Sequence, residues 1–485
     1  MRAAVVFFCI FLSKNLHISK KSSNFAPAFV KTGDIARSRA VVARQAHNLK
    51  VGGSIPPSAT NMKKHVFFFL IISTLSVHAV ERVSLEQLQS DWSRYLNHDI
   101  QLTTPLVVCG SFYDSLLLAP ERLFCPEERA VGLADGDSTA YYALVAQNYQ
   151  SSVCLHCRNQ YYKVRTGDKV KGLKVRVTGE RQLLTGKSIS TRHVAQDRLP
   201  KPKKGELRVV GANIENYFAD LGGYAHKRTT PGQQALKTQK LVSAMQAMHA
   251  DIFACCEMQV GDKAPKMLLA ALNKRGNRYA YVTMPMSDID RIGGCFIYDK
   301  ERVRPYAQPI SAYSDTADHY YARMFAVGFE EIATGKKLII GLNHFKSKRP
   351  GRTQYDTNMR RMQNADSLMA MLPQAVEMFG DEDILLLGDY NCYTQEQPIQ
   401  AIVRAGYADM LPLGKAGDYS YSFRGEAGYL DRCFANPSMA TQIVRVRPWH
   451  INADWYYQHG AYKMKDSSLH RYADHDPIIV DIQLH

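Results

Sequence analysis

Between residues 206 and 485 the chain repeatedly runs through a short apolar stretch and stops on an amide, a carboxylate or an imidazole. Arg208-Val-Val-Gly-Ala-Asn213 stops on Asn213, Asp251-Ile-Phe-Ala-Cys-Cys-Glu257 on Glu257, and Leu338-Ile-Ile-Gly-Leu-Asn-His344 on His344. Ile384-Leu-Leu-Leu-Gly-Asp389 stops on Asp389, with Asn391 two residues on, and Asp474-His475-Asp476 stands directly before Ile478-Ile-Val-Asp-Ile482. Phe296-Ile-Tyr298 and Phe325-Ala-Val-Gly-Phe329 are further runs of the same kind. Apolar runs of this length read as buried strands. Leu241, Met245 and Met248, and then Met362, Ala365, Met369 and Leu372, recur at helical spacing between them. Strands alternating with helices predict a layered α/β fold.

A strand end is a rigid mount, and several at one sheet edge can bring their terminal side chains together. Carboxylates with an Asn carbonyl are hard oxygen ligands suited to Mg²⁺ or Ca²⁺. Two histidines move protons near neutral pH, and Asn and Arg hold phosphate oxygens. Hydrolysis of a phosphodiester needs an activated water, neutralised phosphoryl oxygens and a stabilised leaving oxygen, and this set supplies all three. Singly, each residue has an ordinary explanation. Asn213 and Gly388-Asp-Tyr-Asn391 are turn-like, Glu257 suits a solvated strand end, His344 precedes a basic loop, and Asp474-His475 suits a cap or ion pair. The order in which they recur at strand ends favours a shared site.

That order resembles the endonuclease/exonuclease/phosphatase superfamily. The matching pieces are Asn213-Ile-Glu-Asn216, Asp251 to Glu257, Leu387-Gly-Asp-Tyr-Asn391, Leu430-Asp-Arg432 and Ala473-Asp-His-Asp-Pro477, and they span residues 206–485. Asn343-His-Phe-Lys-Ser-Lys348 resembles an element of the family's secreted bacterial nuclease-like members. The resemblance implies a four-layer α/β sandwich with two packed mixed β-sheets. It implies that Glu257 binds a catalytic Mg²⁺ (or Mn²⁺, with Ca²⁺ possible), with Asn213 nearby and Asp474 at a metal site. Asp389 and Asn391 would position metal, water or phosphate. Asp431 would pair with His475, which acts as general base or as a phosphate-stabilising imidazolium. His344 would be a general acid, and Arg323 would join Asn391 on the phosphate. Two departures stand out: Ala473 replaces the usual Ser, and the carboxylate that would orient His344 is not evident, Asp290 being a weak candidate.

Family members act on DNA, RNA, inositol phosphates and sphingomyelin, so fold does not fix substrate. Lys346, Lys348, Arg349 and Arg352 beside His344 favour a polyanion, and a nuclease is the first expectation. The alternatives are another phosphodiesterase or phosphatase, such as a sphingomyelinase, and a binding module without catalysis. An exposed apolar hairpin for attacking a membrane is not evident, Trp455-Tyr-Tyr457 being a minor candidate. No stable membrane insertion is expected, and a monomer is.

Ahead of this region, Leu199-Pro-Lys-Pro-Lys-Lys-Gly205 reads as an exposed linker. Residues 80–199 contain Leu173, Val175 and Val177 alternating with Lys174, Arg176 and Thr178, a half-buried strand. A small β-barrel resembling oligonucleotide/oligosaccharide-binding folds is expected there. Cys154-Leu-His-Cys157 could join Cys109 and Cys125 in a four-cysteine zinc site, but disulfides or free thiols suit an exported protein better. Met62-Lys-Lys-His, the apolar run from Val66 to Ile72 and Ala79 form a signal-peptide pattern over 62–79, with export to periplasm or medium expected after cleavage near Ala79. Residues 1–61, with nine Lys/Arg against Asp34, read as sequence upstream of the true start. Without them and the signal, the formal charge falls from +16 to +6, a mild bias toward anionic ligands. Nine cysteines remain, an odd number that leaves at least one thiol unpaired in a monomer.

Overall fold

Alternate residues of each long strand point to opposite faces, and here both faces are apolar, so each sheet must be covered twice. This computed structural model describes residues 80–485 apart from 113, 158–163, 188, 196, 222–228, 286–290, 313–322, 350–356, 415–416 and 456–466. The expected extension 1–61, the signal segment 62–79 and Asp290 lie outside the described residues.

Ten short strands come first: β1 (Glu81–Val83), β2 (Asp99–Leu102), β3 (Leu106–Ser111), β4 (Ser115–Ala119), β5 (Leu123–Phe124), β6 (Val153–Cys157), β7 (Lys169–Val170), β8 (Lys174–Gly179), β9 (Gln182–Thr185) and β10 (Thr191–Arg192). All but β5 form one sheet in the order β1-β2-β8-β9-β6-β4-β3-β7-β10. Val83, Ile100, Val108, Leu116, Leu155, Val170, Val175 and Leu183 meet in a single core, so strands from both halves of that order share one inner face. Leu173, Val175 and Val177 are buried and Lys174, Arg176 and Thr178 exposed, as their alternation predicts. The short helices α1 (Leu85–Ser90), α2 (Trp92–Tyr95) and α3 (Pro126–Arg129) and the longer α4 (Thr139–Ser151) fall between these strands.

The next strands are β11 (Leu207–Tyr217), β12 (Ile252–Gln259), β13 (Tyr279–Val282), β14 (Ile292–Asp299), β15 (Val303–Ala312), β16 (Met324–Glu331), β17 (Lys337–His344), β18 (Ile384–Asp389) and β19 (Ala408–Asp409). They are followed by β20 (Tyr421–Phe423), β21 (Glu426–Gly428), β22 (Asp431–Ala435), β23 (Ile443–Pro448) and β24 (Ile478–Ile482). Two six-stranded mixed sheets result, β13-β14-β12-β11-β24-β23 and β15-β16-β17-β18-β22-β19. Val209, Ile252, Ala254 and Phe296 of the first pack against Val327, Phe329, Ile340, Leu342, Leu385 and Leu387 of the second. The outer face of the first carries Val210, Ala212, Ile214, Phe253 and Cys255, covered by α5 (Pro231–Met248) and α6 (Lys263–Leu272) through Leu241, Met245, Met248 and Leu268. The outer face of the second carries Ile339, Ile384 and Leu386, covered by α7 (Thr357–Phe379) and α8 (Gln397–Arg404) through Leu368, Leu372, Ile399 and Ile402. The order helix, sheet, sheet, helix is the expected four-layer sandwich. On α7 the buried stripe is Arg361, Ala365, Leu368, Leu372 and Ala375, rotated from the expected one, and Met362 and Met369 are only half-buried.

The first sheet and the sandwich pack as one compact unit over residues 80–485. β5 stays out of the first sheet and pairs in parallel with β21, making the three-stranded sheet β20-β21-β5. Glu128 of α3 accepts from the backbone of Thr394 (3.4 Å) and Tyr429 (3.2 Å) and from the Thr394 hydroxyl. Its carboxylate lies 3.6 Å from the buried Arg432 guanidinium. Arg122 pairs with Asp454 at 3.2 Å and lies over the Tyr419 ring at 4.2 Å. Among the described residues no helix is long and apolar enough to cross a membrane. All nine described cysteines are free. Cys109, Cys125, Cys154 and Cys157 form no metal-ligand group among the described residues, so the four-cysteine zinc option finds no support.

Candidate active site

Register brings these residues together, His344, Asp389 and Asp431 at strand ends as expected, Asn213 and Glu257 instead at irregularities inside β11 and β12, which run on to Tyr217 and Gln259. β17 and β18 are parallel with His344 opposite Asp389, and β18 and β22 are antiparallel with Asp389 opposite Asp431. In the facing sheet Asn213 of β11 lies opposite Cys256 of β12, one residue before Glu257. The β12 register shifts between Cys256 and Met258, and Glu257 sits at that irregularity with φ 61°. Such a bulge re-aims one side chain. Glu215 (φ 51°), Asn216 (φ 53°) and Asn391 (φ 49°) share this uncommon backbone region. Left-handed backbone at non-glycine residues costs free energy and concentrates where function fixes geometry. Gly388 (φ 136°) is obligatory: a Cβ there would stand 1.9 Å from the Asn343 carbonyl oxygen.

Asp389 is the centre. It accepts from the Asn391 backbone at 2.8 Å, from Asn391 Nδ2 at 3.2 Å and from Asn213 Nδ2 at 3.1 Å. His344 Nε2 and His475 Nε2 each lie 3.9 Å from Asp389 Oδ2. His344 Nε2 is also 3.8 Å from Glu257 Oε1, which accepts from Asn213 Nδ2 at 3.2 Å. Asp431 Oδ2 accepts from His475 Nδ1 at 2.7 Å. Arg323 is 3.4 Å from His344 Nδ1, on the side of the ring away from Asp389. Asp474 stands close enough to His475 and Glu215 to shift both electrostatically.

Burial pushes the Asp389 carboxyl up to about 7, against the pull of His475. Burial opposes charge on His475, but Asp431 and Asp389 outweigh it and hold the imidazole well above its ordinary pKa. Behind it, burial also opposes charge on His450, yet hydrogen bonds to Asp418 and Asp476 raise that group to about 10. Asp476 Oδ1 also accepts from the backbone of residues 451, 452 and 453, which ties down the loop that carries His475. Lys346 is lowered to about 8 by burial and by Arg323, Arg360, Arg361 and Arg349. That marks a concentrated positive field beside His344.

Two groups of side chains bring ligand atoms within 4.8 Å of one another: Glu257, His344 and Asp389, and then Asp389, Asp431 and His475. Asp474 belongs to neither. Glu215 Oε2, Asn216 Oδ1 and Asp431 Oδ1 are buried with no hydrogen-bond donor. Donor-free buried oxygens beside carboxylates fit a hard divalent cation.

Several residues here escaped the sequence reading. Glu215 and Asn216 lie inside the quoted Asn213-x-x-Asn216 piece, and Asn216 donates to Glu257. Tyr421 stacks on His475 with ring centroids 4.4 Å apart. The available signal for Tyr421 was the alternation Tyr419-Ser-Tyr-Ser-Phe423 before Arg424-Gly425, a strand and turn.

Neither a protein-family model nor a curated protein matches the sequence. Solved structures do match. Among them are endonuclease/exonuclease/phosphatase family proteins. A family protein from Bacteroides thetaiotaomicron matches with 17% identity and TM-score 0.41, over 58% of this chain and 98% of its own. A family protein from Bacteroides vulgatus matches with 14% identity and TM-score 0.42, over 58% and 100%. The human Nocturnin catalytic domain with bound sulfate matches with 14% identity and TM-score 0.39, over 59% and 97%.

Proposed function

We propose that the protein is a metal-dependent phosphodiester hydrolase, and specifically an exported nuclease acting on DNA or RNA. One observation carries this reading: two buried imidazoles lie 3.9 Å from the same Asp389 oxygen, flanked by Glu257 with Asn213 on one side and Asp431 on the other.

Glu257 and Asp389 would hold the cation, Mg²⁺ or Mn²⁺ by preference with Ca²⁺ admissible. Asn213, expected as a ligand, instead turns its amide N–H groups to both carboxylates and orients them, and Asp474 and Glu215 lie at the edge of the site. When bound, the ion supplies neutralisation of phosphoryl charge and acidification of water. His475, kept protonated by Asp431, binds a phosphoryl oxygen as imidazolium in the resting enzyme. It serves as base only after surrendering that proton. Asn391 orients the phosphate. Arg323 donates toward Nδ1, where an orienting carboxylate was sought, so His344 is held as the neutral tautomer and gives the leaving oxygen a hydrogen bond from Nε2 without transferring the proton. Arg323 also adds positive charge for the phosphate.

The field around Lys346 supports a polyanion. We read residues 80–199 as the expected oligonucleotide-binding type of barrel, and 62–79 as the export signal.

A substrate panel tests the assignment. Plasmid DNA, RNA, sphingomyelin and a sugar phosphomonoester are incubated with the protein and Mg²⁺, with and without EDTA. Cleavage of a nucleic acid, abolished by EDTA, is expected. Hydrolysis of sphingomyelin or the monoester alone overturns the nuclease choice.

A further inference from the structure

The hairpin β20–β21 presents a line of rings that begins on the catalytic imidazole and ends in solvent. Tyr421 and Phe423 are two residues apart on one strand, so their side chains share a face. Their rings are nearly parallel, 13° apart, with centroids 6.5 Å apart, and Tyr421 also stacks on His475 at 4.4 Å. Phe423 is 45% exposed, an aromatic ring in water next to a polar centre. The Arg424 guanidinium lies 5.1 Å from the Phe423 ring centroid. An exposed ring with a cation above it, stacked on a half-buried ring beside a proposed phosphate site, matches the chemistry of an unpaired nucleobase and its backbone.

The hairpin's construction argues that this is built and not incidental. Phe423 pairs with Glu426, leaving Arg424 (φ 53°) and Gly425 (φ 90°) as a two-residue turn with both φ positive. Asn-Gly is the favoured pair for such a turn, so Arg at the first position carries backbone strain that Asn or Gly would relieve. The tip is pinned: a Cβ on Gly110 would stand 2.9 Å from the Gly425 Cα, and one on Gly425 would stand 2.6 Å from Leu117. β5 pairs along the other edge, and Asn148 donates to Glu426 at 2.7 Å. The first sheet therefore holds the rings rigidly in place.

We propose that Tyr421, Phe423 and Arg424 form a base-stacking subsite that receives one unpaired nucleobase adjacent to the scissile phosphate. The preferred substrate is then single-stranded or splayed nucleic acid, because a base stacked in a duplex cannot present its face. This rests on the nuclease reading but is tested apart from it. Binding is measured in EDTA, where no cleavage is expected, by fluorescence anisotropy of labelled oligothymidylate, an abasic oligomer of equal length and the corresponding duplex. The full-length mature protein is used. About tenfold tighter binding of oligothymidylate than of the abasic oligomer is expected, and Phe423→Ala should erase that preference. Phe423 is exposed, so a thermal melt should show the variant folded. Arg424→Gly should melt higher than wild type yet bind oligothymidylate more weakly, since it removes strain and cation together. A wild type that binds both oligomers equally, or a Phe423→Ala variant that keeps the preference, overturns the subsite. A protein that keeps the preference in EDTA but cleaves neither DNA nor RNA in Mg²⁺ supports the subsite and removes the nuclease assignment.

Discussion

Glu128, in the short helix α3 beside β5, sits 3.6 Å from the buried guanidinium of Arg432, the residue next to Asp431. The same carboxylate accepts from Thr394, three residues beyond Asn391, and from Tyr429. One side chain of the N-terminal region thus fastens two loops that carry site residues. Arg432 keeps a second partner in Asp409 at 2.6 Å, so its charge is not stranded when Glu128 is lost. Glu128→Ala should cost about 1–3 kcal/mol of stability. It should also lower kcat more than it raises KM, because Asp431 and Asn391 lose their anchor without losing any substrate contact. Urea unfolding and steady-state kinetics on one preparation check both. Unchanged kcat contradicts the link.

Glu426 gives the contact between β21 and α4 a pH dependence. Burial pushes its carboxyl up to about 7, against the stabilising bond from Asn148. A raised folded-state pKa means the native state binds the proton more tightly than the unfolded chain, whose carboxyl titrates near its ordinary value of 4.5. This contribution favours folding at low pH and is lost as pH rises from about 4.5 to about 7. Glu426→Gln should therefore melt higher than wild type at pH 8 and close to it at pH 4.5. Equal melting temperatures at both pH values contradict the burial of a strained carboxyl there.

Gly388 tests the backbone on which the site is mounted. A Cβ 1.9 Å from the Asn343 carbonyl cannot be absorbed by moving a side chain, and φ 136° suits no L-residue. Gly388→Ala should destabilise by about 3 kcal/mol, with β17 and β18 forced apart at His344 and Asp389. Denaturant unfolding measures the loss, and a variant as stable as wild type contradicts the close approach.

Much of this site could be read before the fold was known. Asn213, Glu257, His344, Asp389 and His475 stand where apolar runs stop or begin, and burial of both sheet faces makes those boundaries visible in one dimension. Asp431 carried no such run of its own and was reached through the family pattern. Glu215 and Asn216 were hidden because a bulge breaks the strand alternation just where they sit. Glu128, Gly110 and Tyr421 were hidden for another reason. The partners of Glu128 and Gly110 lie hundreds of residues away, that of Tyr421 lies on a separate loop, and β5 pairs through only two residues, too few to leave a pattern. The face of α7 was misplaced because Arg361 enters the core, paired with Glu396 at 3.4 Å, where hydrophobicity alone would exclude it.

The cation has a readout independent of turnover. Addition of Mg²⁺ to metal-stripped protein should raise the melting temperature by several degrees, since about 2.7 kcal/mol follows at a hundredfold excess over Kd. Glu257→Ala should abolish the rise while leaving the metal-free melt near that of stripped wild type. A full Mg²⁺ response in Glu257→Ala places the ion elsewhere.

The pairing of His475 with Asp431 beside Asp389 is the core of the proposed chemistry, and its direct measurement is kcat/KM of His475→Ala on the nucleic acid the wild type cleaves, in Mg²⁺ and with folding verified by thermal melt. A loss of about 10²–10⁴-fold, mostly in kcat, is the expected result. Activity within threefold of wild type would contradict it, and would move the phosphodiester chemistry away from this imidazole.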